Sequence, residues 1–296
     1  MRRLVIHLGY PKAASTTLQN ALFFRLHQEG RIHFVGRAFE SGYFGPAANK
    51  KDYKSWFRSV CDPTTTADEK PDIPSPLVDG KLNLLSEGLF VNHERRGDTI
   101  AIAERLVPYF ASRSDHLSLL FVIRNQQTLV RSDYVQRFRK IKKGTIGEYV
   151  SENLRLGRNG QFGVFDFAEL IGSYAAIVGK ENITIALFED ISKDISRFST
   201  DIGAAIGVDP GVVRGHLETS HLNRTPSAGA GGVVRRHGKI TIRKWFEQTV
   251  LARKVVVPEM QEQEQELLFE TFRASNLRLA GEFGLDPERM SAYGYF

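Results

Sequence analysis

Residues 11–17 read Pro-Lys-Ala-Ala-Ser-Thr-Thr, a cation and three hydroxyls separated by two small side chains. Anion binding is the chemistry that this mixture suits. Backbone N–H groups at a helix start have no intrahelical partner and the helix dipole is positive there. Ser15, Thr16 and Thr17 at such a start would add hydroxyl donors to a phosphate or sulfate site. Lys12 supplies a point charge, and Ala13 and Ala14 let a ligand approach the main chain. The stretch departs from the general phosphate loop G-x-x-x-x-G-K-[ST], because it lacks the second glycine and the Gly-Lys pair and its lysine precedes the hydroxyls. The plainer alternative is that Ser15 or Thr16 caps a helix and Lys12 is solvated.

A second anion site and a candidate base lie further along. Arg124 follows directly on the apolar run from Leu117 to Ile123, and Ser132 stands eight residues later. In the helix expected there, Val130, Tyr134, Phe138 and Ile141 mark the buried side, and Ser132 falls roughly 200° around from Val130, turned toward a ligand. Glu87 ends the stretch Lys81-Leu-Asn-Leu-Leu-Ser-Glu87 and is the candidate general base, with His93 as runner-up. Desolvation raises the pKa of such a carboxyl and a nearby Lys12 lowers it, so the sequence leaves its basicity open. Each residue has a plainer reading: a surface ion pair for Arg124, an exposed helix position for Ser132, a helix-start carboxylate for Glu87 and an exposed loop position for His93.

The elements that must hold these residues follow from hydrophobic periodicity. Leu4, Val5, Ile6 and Leu8 read as a buried strand, and Leu18, Leu22 and Leu26, with Ala21 beside them, mark one face of the helix after it. Strands at about 4–9, 31–35, 82–86, 117–123 and 182–188 alternate with helical patterns. This predicts a three-layer α/β fold, a mostly parallel central sheet with helices on both faces, of nucleotide-kinase-like architecture. Ligands of open α/β sheets bind outside the carboxyl ends of the strands, so Lys12 and Arg124 should face one crevice. We expect a single domain over 1–296, with a Pro-, Thr- and Asp-rich loop insertion at about 61–80 and a basic helical region at about 231–296.

Together these residues resemble those of sulfotransferases that use 3′-phosphoadenosine 5′-phosphosulfate (PAPS), of the bacterial or carbohydrate type. Residues 11–17 resemble the family's 5′-phosphosulfate loop, usually Pro-Lys-x-Gly-[ST]-[ST], with Ala14 where the family commonly has glycine. Arg124 with Ser132 resembles its 3′-phosphate site, and FDFAELIGSYAAIVGKENITIALFEDI at 165–191 resembles a helix, strand and acidic turn of the same family. The resemblance implies that Lys12 neutralises charge on the leaving phosphate oxygen. It implies that Ala14, Ser15, Thr16 and Thr17 hold the phosphosulfate, while Arg124 and Ser132 hold the 3′-phosphate. It also sets Asn223, Arg224 and Thr225 in a loop closing over the nucleotide, requires no metal, and makes the acceptor a hydroxyl, preferably of a saccharide or glycolipid. Two other readings stay open: an ATP-dependent kinase-like phosphotransferase, and a non-catalytic binder of phosphorylated or sulfated ligands.

Composition agrees with a globular enzyme. The chain has 296 residues, a formal charge of +6, and a single cysteine, Cys61, which excludes an internal disulfide. No apolar run approaches the roughly twenty residues that span a bilayer, and the amino terminus is too short in apolar length for a secretory signal, so a cytoplasmic enzyme is expected. Arg235, Arg236, His237, Lys239, Arg243 and Lys244 are interleaved with Ile240, Ile242, Trp245 and Phe246 and followed by Arg253 and Lys254. That region, 235–254, reads either as a surface for a peripheral membrane or anionic polysaccharide, or as an ordinary solvated helix face. No nucleic-acid motif accompanies it, and nucleic acid is not an expected partner.

Overall fold

Continuous apolar runs become buried strands here because helices cover both faces of the sheet. In the computed structural model, β1 (Arg3–Gly9), β2 (His33–Phe34), β3 (Leu82–Ser86), β4 (His116–Ile123) and β5 (Ile183–Leu187) form one sheet in the order β2-β3-β1-β4-β5. Every pairing is parallel. The structure describes residues 1–45, 47, 49–60, 62, 70, 77–91, 99–137, 145–157, 160–219 and 259–296. Cys61, His93, Asn223, Arg224, Thr225, the helix markers Phe138 and Ile141, and all of 235–254 lie outside the described residues, as does most of 61–80.

The helical run after β1 comprises α1 (Ser15–Thr17), a π-helical segment Leu18–Phe23 and α2 (Phe24–Gln28). The expected four-residue spacing buries Leu18, Leu22 and Leu26, and the wider π register brings Phe23 inward beside them. The remaining helices are α3 (Lys50–Val60), α4 (Thr99–Ala111), α5 (Gln126–Arg137), α6 (Ile146–Leu156), α7 (Phe167–Val178), α8 (Asp190–Lys193), α9 (Ile195–Ile206), α10 (Pro210–Thr219), α11 (Glu262–Phe283) and α12 (Pro287–Ala292). The π segment packs on α10 and α10 on α9, while α4 packs on α7 and α7 on α11, giving the two helical layers.

Strand register sets the site. Gly9 lies opposite Val122, and His7 lies opposite Ser86 on its other side. Through His7, Ser86 is level with Leu120, so β3 ends three residues before β4, and the segments beginning at Glu87, Tyr10 and Arg124 leave the same end of the sheet. The expected strand at 31–35 is shorter, His33–Phe34, because β2 is an edge strand, although Val35 still donates its N–H to Leu84 O at 2.7 Å. No described helix is long and apolar enough to cross a membrane.

Candidate anion-binding site

The loop from Tyr10 to Ala14 is strained in a defined way. Lys12 (φ 64°) and Ala14 (φ 59°) both adopt left-handed backbone conformations and are the non-glycine residues that do so among those described. Each costs about 1–2 kcal/mol relative to an ordinary conformation, and such strain collects where surrounding structure over-determines the backbone. Here the loop is held by the buried side chain of Ala13, by Ala13 N–H donating to Tyr10 O at 3.3 Å, and by Ser15 Oγ donating to the same carbonyl at 3.1 Å. Ala14 is the position where the resembled loop commonly has glycine, and its left-handed φ is the physical reason a glycine suits it. No side chain caps α1, so the capping role open to Ser15 or Thr16 is not taken up. Gly9 is required by close approach, since a Cβ there would lie 2.4 Å from Ser15 Oγ.

Arg124 ties the second strand end to this loop. Its Nη1 donates to Lys12 O at 2.9 Å, its Nε donates to Thr128 Oγ1 at 3.0 Å, and its guanidinium lies 4.4 Å above the Phe188 ring centroid. Burial lowers the pKa of Lys12, and the Arg124 charge lowers it further, against an opposing contribution from Asp133. Two cations are thus held close enough to repel. An anion between or beside them relieves that repulsion.

Ser132 lies one helical turn beyond Thr128 on α5, on the face that Arg124 contacts. It is 6% exposed, more enclosed than its angle from Val130 implies, because α6 and α11 both pack against α5 and a single core stripe understates its covering. Its neighbour Asp133 is buried and accepts a hydrogen bond from Tyr149 OH at 2.7 Å.

Glu87 sits at the end of β3 beside the loop, its N–H donating to His7 O at 3.2 Å, and a Cβ on the next residue, Gly88, would lie 3.1 Å from Gly9 O. The carboxylate is 0% exposed. Its Oε1 pairs with Arg37 Nη2 at 2.8 Å, and its Oε2 accepts from Tyr53 OH at 2.9 Å. Behind it, Ser86 Oγ lies 2.8 Å from His7 Nδ1 and accepts from Gln19 Nε2 at 3.0 Å. Complete burial depresses the His7 pKa to about 3, so the ring is neutral.

The acidic turn after β5 supports the Arg124 side. Glu189 accepts from Asn125 N–H at 2.9 Å and from Tyr295 OH at 3.0 Å, and Asn125 Nδ2 donates to Gly294 O. Burial raises the Glu189 pKa, with these hydrogen bonds and the Arg124 charge opposing. Arg37 and Tyr53 are not legible from sequence as partners of Glu87, since these contacts join distant parts of the chain. Thr128 was readable from its four-residue spacing from Arg124. No group of three or more His, Cys, Asp or Glu residues arranged to hold a metal occurs among the described residues.

No protein-family model matches the chain, and no curated protein matches it. Among solved structures it is similar to a sulfotransferase from Alicyclobacillus acidocaldarius, at 16% identity and a TM-score of 0.55, with 99% of each chain covered. The likeness is one of fold.

Proposed function

We propose that the protein is a sulfotransferase that moves a sulfuryl group from PAPS to a hydroxyl of a saccharide or glycolipid. The observation that supports this reading most is the Arg124–Lys12 contact, which links two cation-bearing strand ends into one edge fitted to a ligand with two separated anions. The donor's phosphosulfate and 3′-phosphate have that form. The left-handed loop and the hydroxyls of Ser15, Thr16 and Thr17 suit the phosphosulfate end. Arg124 and Ser132 suit the 3′-phosphate.

When bound, the donor supplies an activated sulfuryl group. Lys12 would stabilise the charge left on the phosphate oxygen as the sulfur–oxygen bond to it breaks and a bond to the acceptor oxygen forms. Glu87 would accept the acceptor's proton, with Arg37 and Tyr53 fixing the carboxylate. A carboxylate base, rather than the histidine of small-phenol enzymes, favours a sugar acceptor; His93 is the alternative base. The whole chain is proposed to act as one domain, in the cytoplasm or against a membrane surface through 235–254.

The test is transfer of label from PAPS to a panel of saccharides and glycolipids. Release of adenosine 3′,5′-bisphosphate that requires an acceptor, and falls roughly 100- to 1000-fold in Lys12→Ala, supports the reading. Acceptor-dependent phosphoryl transfer from ATP, with none from PAPS, would replace it with the kinase-like reading.

A further inference from the structure

Two enclosed guanidinium groups among the described residues are met by carboxylates. Arg289 presents its Nε and Nη2 edge to Asp190, with Nε 3.2 Å from Oδ1 and Nη2 bonded to Oδ2, and Arg37 pairs with Glu87. Arg131 on α5 differs from both. Its Nε and Nη2 are both buried and neither has a hydrogen-bond partner. These two nitrogens form one edge of the guanidinium, the fork that binds a carboxylate or phosphate through two parallel hydrogen bonds. Enclosing a cation without an anion is unfavourable, so an unmet buried fork points to a ligand that the chain itself does not provide.

The position of Arg131 says which ligand. It lies three residues after Thr128, on the same side of α5, and side chains on a helix lean toward its amino terminus, here toward the turn that carries Thr128 and meets Arg124. Arg124 has part of its donor set already engaged. Its Nε is engaged by Thr128 and its Nη1 by Lys12 O, so each of its two edges has one nitrogen already occupied. A phosphate monoester carries between one and two negative charges near neutral pH, more than one partly engaged guanidinium and a serine hydroxyl neutralise.

We infer that Arg131 is a second guanidinium ligand for the terminal phosphate monoester held by Arg124 and Ser132, and that it gives this site its preference for a dianion. The inference rests on the proposed sulfotransferase reading, in which that group is the nucleotide 3′-phosphate.

Calorimetric titration of wild type, Arg131→Gln and Arg131→Lys with adenosine 3′,5′-bisphosphate and with adenosine 5′-monophosphate tests it. Arg131→Gln is expected to weaken bisphosphate binding roughly 10- to 100-fold and leave monophosphate binding unchanged. Arg131→Lys, which keeps the charge and loses the fork, should recover part of the loss. The ligand-free melting temperature of Arg131→Gln should hold or rise, since an unmet buried charge is removed. Equal bisphosphate affinity in wild type and Arg131→Gln, with wild type still preferring bisphosphate to monophosphate, overturns the role of Arg131 alone. So does a lowered melting temperature with unchanged affinity, which marks Arg131 as structural. A wild type that binds both nucleotides equally removes the 3′-phosphate reading itself, and the inference with it.

Discussion

After β3 the chain buries a carboxylate, Glu87, against Arg37 and Tyr53; after β4 it sets a guanidinium, Arg124, against a backbone carbonyl and a hydroxyl. The two strands lie on either side of β1, which leads into the Lys12 loop, and they end at the same end of the sheet. On the β3 side charge is met by charge within the chain, with a neutral His7 and Ser86 behind it. On the β4 side the guanidinium donates to neutral acceptors, with the Glu189 carboxylate acting on it through space, and Lys12 adds a second cation nearby. The difference separates roles. A charge satisfied by its own chain holds the fold and fixes a side chain's orientation, whereas a cation left with neutral partners is available to an anion from outside.

The largest expected effect falls on the β3 side. Arg37→Ala would take the Arg37 guanidinium away from the buried Glu87 carboxylate, and we expect about 3–5 kcal/mol of lost stability by denaturant unfolding. As a contrast, Arg31→Ala, which removes the exposed pair with Glu29, should cost less than about 1 kcal/mol. Equal losses in the two variants would show that burial of Glu87 does not set its dependence on Arg37.

Arg124→Gln should behave in the opposite way. Its neutral partners predict only a small change in melting temperature, while affinity for adenosine 3′,5′-bisphosphate falls roughly 10- to 100-fold. A variant that melts well below wild type and binds the nucleotide normally would erase the distinction between the two sides.

A smaller effect, graded with pH, sharpens the comparison from behind β3. His7 titrates near 6.5 when unfolded and near about 3 when folded. Between those values the unfolded chain binds a proton that the folded chain refuses. Stability therefore declines as pH falls through this window, by up to about 1.4 kcal/mol per pH unit, and is unaffected by His7 above it. His7→Gln should flatten that part of the profile in unfolding measurements at pH 4–7. An unchanged slope would assign the acid sensitivity to other groups.

Much of the fold was readable because the strands are continuous apolar runs between helical patterns, and parallel strands covered on both faces have that form. The edge strand β2 was less so, since only two residues pair fully. The placement of Lys12, Ser15 and Arg124 just beyond strand ends was readable because strand-end position and charge are local properties. The strain at Lys12 and Ala14 was not, because neither residue type announces a left-handed backbone. Partners of Glu87 escaped for a different reason: Tyr53 is 34 positions away and reaches it only through the folded sheet. The enclosure of Ser132 depended on α11, which joins α5 from the far end of the chain.

The central claim is that the edge formed by Lys12 and Arg124 receives a ligand with two separated anions. Calorimetric titration of the wild-type protein with adenosine 3′,5′-bisphosphate, ATP and adenosine 5′-monophosphate, all without magnesium, tests it most directly. The account predicts a clear preference for the bisphosphate over both others. Equal binding, or tighter binding of ATP, would contradict it.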